Sequence, residues 1–362
     1  PLNEPARMPP LLNILSRRNW GVVRYNAIFQ NLSAVVYIAL AHRLFSVRFL
    51  LLAALFLAFS TCMTAYAYLA NDLADVDLDR RHGKANAFLN IPRPRAVLVT
   101  VVFLLAGIAF SLPFWGSVWF APLLGVWIVL SSAYSLPPLR LKEAGAFGLA
   151  ATVLSQQTLP LVLLFAALAP RFEWGAVLFA THATLRGLSS DVGHQVRDYP
   201  NDVRTHTATF AVRRGLDLSR RIYALALETE RLATGVLLGW LAWKIPTLEL
   251  LGGRLPFSPV WPLVVLYAVL LWRTAGRSWR AYRDGNLAQH DPYDEKRQQS
   301  RRDALHWIHH SLPSVAVPLW LSAIAAVYYY PNLLFTLFIL VIFQLYRPAV
   351  WRKFVPTRPR LP

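Results

Sequence analysis

Long apolar stretches recur along the whole chain, and short segments rich in charged residues, proline and glycine separate them. A helix needs about 20 apolar residues to cross the roughly 30 Å hydrocarbon core of a bilayer. By this criterion we predict nine membrane-spanning helices, over residues 20–42, 49–71, 95–112, 116–135, 144–168, 172–194, 218–243, 257–275 and 306–328. A tenth apolar stretch, residues 331–346, is short for a span.

This pattern favours an all-α protein, a polytopic transmembrane helix bundle of nine or ten spans. No hydrophilic block between the stretches is large enough to fold alone, so we predict a single domain over residues 1–362. The composition agrees, since 56% of the 362 residues are hydrophobic and 15% are charged. The single cysteine, Cys62, lies inside an apolar stretch and excludes a disulfide framework.

The net charge of +18 would suggest nucleic-acid binding in a soluble protein. Here the basic residues lie between the apolar stretches and near the ends of the chain, so we expect the lipid bilayer as partner and no nucleic acid. When the spans are threaded alternately through a bilayer, most of the basic segments fall on one side. The positive-inside rule then predicts a multi-pass integral membrane protein with a cytoplasmic N-terminus.

A first acidic motif, residues 71–79, follows the second apolar stretch directly. At 100° per residue, Asp72, Asp75 and Asp79 fall within about 60° of one another on a helix, and Asp77 points away. Three carboxylates are therefore predicted to share one helix face at the end of a span.

A second acidic motif, residues 191–202, ends the sixth predicted span. Asp191, Gln195 and Asp198 follow the i, i+4, i+7 spacing of one helix face. Asp202 would extend this face, but Pro200 predicts that the helix is interrupted just before it.

Clustered carboxylates repel one another unless a cation is present, and their hard oxygen atoms suit Mg²⁺ that is shared with substrate phosphates. The alternative is a solvated acidic helix end that pairs with nearby arginines. Both clusters lie at span ends on the same predicted side of the membrane, which favours the metal. The arginines of the alternative are Arg80, Arg81, Arg197 and Arg204.

Here the sequence resembles the UbiA superfamily of intramembrane prenyltransferases. Its signature N-D-x-x-D-x-x-x-D matches residues 71–79 in full, and its second signature, D-x-x-D-x-x-x-D, matches at Asp198 and Asp202. Gln195 stands where that second signature has its first aspartate, and Asp191, one turn earlier, is the candidate replacement. Residues 134–142 resemble the family's Y-S-x-P-P-x-R-L-K loop, and residues 204–209 resemble its stretch after the second motif.

The resemblance implies Mg²⁺-dependent transfer of an isoprenyl group from a prenyl diphosphate to a hydrophobic acceptor of the aromatic, quinone-precursor type. The reaction would occur in a central apolar cavity that opens near the cytoplasmic side. The implied metal ligands and catalytic residues are Asp72, Asp75, Asp79, Asp198 and Asp202. The candidates for substrate contact are Asn71, Lys84, Tyr134, Arg140, Lys142, Asp191, Gln195 and Arg204. The alternative role for the basic residues among them is contact with lipid headgroups. The alternative role for Tyr134 is that of an aromatic anchor at the membrane interface.

Several polar residues lie inside the predicted spans, where such groups seldom face lipid. They line an acceptor pocket or form hydrogen bonds between helices. The residues are Gln30, Asn31, Gln156, Gln157, His182, Arg186, Glu228 and Glu230.

Two other functions remain open at this point. A terpene cyclase on the same scaffold would bind the same metal and donor but quench the carbocation internally. A cation-coupled transporter would use paired acids as an ion path, although such acids tend to lie in broken helices near mid-membrane.

Overall fold

The structure is a computed structural model that describes residues 20–205, 207–245, 249–250, 253–254, 257–287, 291–293 and 304–345. Those residues form a helical bundle, with one two-residue hairpin ladder, Glu249–Leu250 with Gly253–Arg254. The helices are α1 (Gly21–Arg24, a π turn Tyr25–Phe29, and Gln30–His42), α2 (Val47–His82), α3 (Arg93–Ser111), α4 (Phe120–Ser135), α5 (Ala146–Val153, a π turn Leu154–Thr158, and Leu159–Leu168), α6 (Trp174–Arg204), α7 (Phe210–Arg214), α8 (Leu216–Lys244), α9 (Trp261–Thr274), α10 (Arg277–Arg283), α11 (Ala304–His306, a π segment Trp307–Ala316, and Val317–Tyr328) and α12 (Pro331–Leu345).

Every one of the ten apolar stretches contains a helix. Among the described residues, four helical segments are long and apolar enough to cross a membrane: Val47–His82, Arg93–Phe114, Ala146–Leu168 and Ala304–Tyr328. Helices α4 and α12 are apolar but shorter. The described residues are thus almost entirely helical and include four candidate membrane-spanning segments, and the count of nine or ten spans stays a prediction.

Helix α2 carries the first acidic motif past the end of its apolar stretch. The Ser46 side chain accepts a hydrogen bond from the Phe49 N–H at the start, which satisfies one free donor of the first turn. The 36 residues rise about 54 Å, more than the roughly 30 Å of hydrocarbon, so one end of the helix projects beyond the lipid core. The helix ends in a Schellman motif, in which Gly83 adopts φ 62° and the Lys84 N–H bonds the Asp79 carbonyl.

Helix α6 runs without interruption through the second acidic motif to Arg204. The prediction that Pro200 interrupts it is therefore wrong. Proline removes one N–H and crowds the preceding turn, but its fixed φ is helical. Pro200 lies on the exposed side of the last turns, and Asp202 stays on the helix.

Close packing of α6 against α8 depends on a glycine inside the second motif. A Cβ atom at Gly193 would lie 2.8 Å from ring carbons of Tyr223, a fully buried side chain of α8. Small residues at such positions let two helix backbones approach each other. This contact holds the acidic end of α6 against its neighbour.

We predict that Gly193→Ala lowers the apparent melting temperature of the purified protein relative to Gly239→Ala. The added methyl must displace Tyr223, and overpacking of this kind costs about 1–3 kcal/mol. At Gly239, also helical, nothing lies within 4 Å of the new Cβ, so only the helix-propensity gain remains. Thermal unfolding in detergent measures both, and equal shifts would contradict the packing argument.

Candidate active site

The first acidic motif has an inner and an outer side, as the helical spacing predicts. Asp77 is on the outer side, 75% exposed, and pairs with Arg80 at 2.9 Å. Asp72 is buried, and one of its carboxylate oxygens accepts from the Ala87 N–H at 3.3 Å. Asp79 accepts from the Asn86 amide at 2.8 Å. The loop after α2 therefore folds back onto these two acids.

Asp75 faces a different partner, the loop between α4 and α5. The Lys142 ammonium pairs with one Asp75 oxygen, and an Arg140 Nη lies 3.3 Å from the other. Lys142 also donates to the Asn71 Oδ1 at 3.0 Å. Burial lowers the pKa of Lys142 even though the Asp75 carboxylate opposes this shift. The first motif thus already holds two cations that reach it from another part of the chain.

The second motif presents its acids along the last turns of α6. Asp198 pairs with His194 at 3.4 Å, and Asp202 accepts from the Thr209 hydroxyl at 3.3 Å. Burial and the nearby Asp198 carboxylate raise the pKa of Asp202, although Lys84 acts in the opposite direction. Lys84 follows the first motif, so this interaction links the two acidic segments electrostatically.

Gln195 is engaged in holding α7. Its Oε1 accepts a hydrogen bond from the Ala211 N–H at 3.2 Å. That N–H belongs to the first turn of α7 and has no intrahelical partner. The residue that departs from the family signature therefore has a structural contact in place of a free carboxylate.

Several contacts connect the two motifs directly. Gly145 and Thr209 form a bridge between the loop of Lys142 and the loop of Asp202. An Arg213 Nη donates to the Glu143 carbonyl at 2.7 Å across the same junction. Tyr134, at the end of α4, lies within electrostatic range of Asp75, Asp191 and Asp202. Asp75 and Asp202 are distant in sequence, but these contacts bring the segments beside them to one junction.

Arg204 lies at the edge of the candidate site. It is exposed, and its Nη2 bonds Asn201 at 2.9 Å on its own helix.

The residues as they lie do not form a closed metal cage. Within the part of the chain that the structure describes, no three His, Cys, Asp or Glu side chains converge to hold a metal ion. Mg²⁺ seldom needs such a cage, because substrate phosphates and water complete its octahedron around one or two carboxylates. The acids therefore suit a metal that arrives with a phosphate group.

Comparison with known proteins decides the family. A sequence model of the UbiA prenyltransferase family matches residues 31–289, well over half of the chain. The chain belongs to the UbiA prenyltransferase family. A comparison with curated protein sequences gives no match.

Two solved structures resemble this UbiA-family chain across most of its length. A UbiA homolog from Archaeoglobus fulgidus bound to DMAPP and Mg²⁺ is 13% identical, covers 88% of this chain and 99% of its own, and has a TM-score of 0.53. The same archaeal homolog bound to GPP and Mg²⁺ is 14% identical over 84% and 99% of the two chains, with a TM-score of 0.50. At this identity the likeness shows a shared fold.

The oxygen atoms of the site fit a hard cation such as Mg²⁺. One carboxylate oxygen of Asp191 is buried and has no hydrogen-bond partner among the described residues. A buried carboxylate oxygen without a partner is costly, and a cation or a metal-bound water would satisfy it. Asp191 lies one turn before Gln195, where the family signature begins.

Sequence reasoning missed two residues that hold the site together. Asn86 is buried, and its amide donates to both the Asp72 carbonyl and the Asp79 carboxylate at 2.8 Å. Thr209 caps α7 and bonds Asp202. Both lie in loops, where no periodicity marks an inward side chain, although a Thr just before a helix is a recognisable N-cap signal.

We predict that Asn86→Ala destabilises the protein by about 1–2 kcal/mol, because it leaves two acceptors of the first motif without their donor. Thermal unfolding in detergent measures the loss. Asp77→Ala serves as the control, since its exposed pair with Arg80 should contribute almost nothing. Equal stability of the two variants would show that Asn86 does not anchor the loop.

Proposed function

We propose that this chain is a Mg²⁺-dependent membrane prenyltransferase that moves an isoprenyl group from a prenyl diphosphate to a lipophilic, aromatic acceptor. The observation that carries the proposal is the junction of the segments that carry the two acidic motifs, joined by the Gly145–Thr209 bridge, with Lys142 and Arg140 held on Asp75. Family membership and the prenyl diphosphate and Mg²⁺ ligands of the two similar structures support it.

The acids are the proposed metal ligands. Asp72, Asp75 and Asp79 of α2 and Asp198 and Asp202 of α6 would hold Mg²⁺, and Asn71 would assist from the start of the first motif. When bound, Mg²⁺ stabilises the negative charge that develops on a departing diphosphate. Asp191 lies one turn before Gln195 and has a buried carboxylate oxygen without a partner among the described residues, and we propose that it completes the second ligand set.

The cations are the proposed diphosphate contacts. Lys142 and Arg140 lie on Asp75, so a diphosphate bound there would meet two positive side chains without a large movement. Lys84 follows the first motif and acts electrostatically on Asp202, so we propose it as a third diphosphate contact. Charge that is fixed in place before the reaction stabilises the leaving group at little reorganisation cost. Arg204, at the rim, would take part only in the first encounter.

The bond changes follow from this arrangement. The bond between the allylic carbon and the diphosphate oxygen breaks, and its electron pair leaves with the diphosphate. A nucleophilic carbon of the acceptor would then bond the allylic cation, and the proton that this carbon loses would pass to the released diphosphate. Tyr134 lies beside the acids and would stabilise the cation or the diphosphate. Apolar walls of the bundle would exclude water until the acceptor has reacted.

We also propose that residues 1–362 form one domain and that the site faces the cytoplasm. The basic segments around both motifs support this orientation by the positive-inside rule. Asp72 belongs to an unbroken helix of 36 residues, which favours an enzyme over a transporter with broken helices.

We predict that Asp72→Ala or Asp198→Ala lowers Mg²⁺-dependent consumption of a prenyl diphosphate by at least about a hundredfold, because a lost metal ligand removes several kcal/mol of charge stabilisation. Asp77→Ala is the matched control on α2 and should retain most of the activity. Turnover is measured on purified protein in detergent with labelled donor. Equal losses at Asp77 and Asp75 would contradict the assignment of the inner face.

We predict that a prenylated acceptor forms when Mg²⁺, a labelled prenyl diphosphate and a panel of aromatic acceptors are supplied together, and that chelation of Mg²⁺ stops it. The products are identified by mass spectrometry with and without acceptor. A cyclised hydrocarbon that forms equally well without acceptor would identify a terpene cyclase on the same scaffold. Uptake into vesicles that ignores added prenyl diphosphate would identify a transporter.

A further inference from the structure

Helix α10, Arg277–Arg283, begins just after α9 ends and carries an arginine at every third position. Ser278 and Ala281 are buried, while Arg280 and Arg283 are exposed. Residues three apart are neighbours on the surface of a helix, so the two exposed arginines share one face. The short helix therefore has a basic outer face and a packed inner face.

The inner face of α10 belongs to a hydrophobic cluster near the second acidic motif. Trp279 and Tyr282 are partly buried against this cluster, and their ring centroids lie 5.3 Å apart. The cluster also contains Tyr223, the α8 side chain on which Gly193 of the second acidic motif packs. The position of α10 is therefore linked to the packing of α8 against α6.

A buried ion pair fixes the turn between α9 and α10. Arg231 of α8 is fully buried and pairs with Glu228, one turn earlier. An Arg231 Nη donates to the Thr274 carbonyl at 2.6 Å, where α9 ends. Glu228 accepts from the Ser278 N–H at 3.2 Å, where α10 begins. Because the free groups at both helix ends find partners on α8, this helix sets the direction in which α10 leaves α9.

The start of α8 adds two exposed arginines, Arg220 and Arg221. The Tyr282 hydroxyl of α10 donates to an Asp217 carboxylate oxygen at 3.3 Å, so the end of α10 contacts the first turn of α8. Arg220 follows Asp217 by three residues, less than one turn of helix. The exposed arginines of α8 and α10 therefore lie at adjoining helix ends.

The residues before α10 follow the order of a membrane interface. Val265, Leu266 and Val269 of α9 are exposed apolar side chains. Trp272, 84% exposed, and Arg273, also exposed, come next. Apolar residues face the hydrocarbon, whereas tryptophan and basic residues are enriched at the interface. Short helices that combine arginine with tryptophan are typical of the interface plane. We therefore expect α10 at the level of the headgroups, on the predicted cytoplasmic side.

Five exposed arginines form the basic surface at this turn: Arg220, Arg221, Arg273, Arg280 and Arg283. Among the described residues, no carboxylate forms an ion pair with any of them. Like charges that are close together repel one another, and a bound anion removes that repulsion. The planar guanidinium group matches the geometry of phosphate oxygens. The basic surface therefore suits a phosphate group.

The phosphate of a membrane lipid fits this surface better than that of a soluble compound. The exposed apolar side chains of α9 lie directly before Arg273, so a headgroup bound here could leave its acyl chains beside α9. The cytoplasmic leaflet contains anionic lipids that attract basic residues close to the membrane. Across the described ranges, none of the five arginines pairs with an acid of either motif, which separates the basic surface from the candidate active site.

We propose that the basic surface binds the phosphate headgroup of an anionic membrane lipid. The bound lipid holds α10 at the interface and, through the shared hydrophobic cluster, stabilises the packed ends of α8 and α6. This role does not depend on the proposed reaction, because the surface lies outside the junction of the acidic motifs.

The test measures binding of phosphatidylglycerol and of phosphatidylcholine with the same acyl chains to the full-length protein in detergent, by native mass spectrometry. Both lipids contain a phosphate, but only phosphatidylglycerol has a net negative charge. We expect a clear preference for phosphatidylglycerol that falls as the ionic strength is raised. Arg280→Gln combined with Arg283→Gln should weaken phosphatidylglycerol binding by about fivefold for each arginine removed and leave phosphatidylcholine binding unchanged.

Arg93→Gln combined with Arg95→Gln is the matched control, because these arginines are exposed, lie on the same predicted side and remove the same charge. This control pair should keep the wild-type preference. Arg220→Gln combined with Arg221→Gln leaves α10 unchanged and should weaken phosphatidylglycerol binding as the α10 pair does, so a folding defect in one pair does not decide the result. Equal affinities of the wild type for the two lipids, or an equal loss in the control pair, would overturn the proposal.

Two soluble anions distinguish the lipid from other sources of phosphate. Inorganic phosphate at the concentration of the lipid should not displace phosphatidylglycerol, and binding of inorganic diphosphate with Mg²⁺ should be unchanged in the α10 pair. Displacement by inorganic phosphate would indicate a site for a free anion, and a loss of diphosphate binding would assign the arginines to the donor. Either result would overturn the proposal. If the wild type binds no diphosphate but keeps its lipid preference, the proposed function fails and the lipid surface stands.

Discussion

Repulsion between buried carboxylates is the constraint on which the rest of this site depends. Two helices end in acids, and their ends lie at one junction, so the fold must supply positive charge there. It does so with Lys142 and Arg140 on Asp75 and with Lys84 near Asp202. These basic side chains compensate the acids. In the proposed function, the same side chains would also contact an incoming diphosphate.

The loops are as important as the helices in meeting this constraint. The loop after α2 brings Asn86 onto the first motif, and the loop before α5 brings Lys142. The bridge between Gly145 and Thr209 then joins the loop of Lys142 to the segment that follows α6. Because Lys142 and Arg140 reach Asp75 from a distant loop, the geometry of the site depends on the tertiary fold and cannot be built from α2 or α6 alone.

Features that depend on helical periodicity could be predicted from the sequence. The ten apolar stretches all contain helices, and Asp77 points away from the other acids because 100° per residue fixes its direction. Loop contacts had no comparable signal: Asn86 and the pairing of Lys142 with Asp75 depend on where the chain returns in space. The prediction that Pro200 interrupts α6 was wrong because the rule that proline ends helices is only a tendency, and here the helix continues to Arg204. The role of Gln195 as an acceptor for α7 also needed the structure, since a substitution in a motif does not reveal its new partner.

The central claim is that acids from both motifs act together on one Mg²⁺-diphosphate. A double-mutant cycle of Asp75→Asn and Asp198→Asn measures this directly through the Mg²⁺-dependent affinity for inorganic diphosphate. Groups that share a ligand should couple by about 0.5–3 kcal/mol, so the double variant should differ from the sum of the single variants by that amount. Losses that add to within about 0.3–0.5 kcal/mol would show that the two motifs bind independently and would contradict the account.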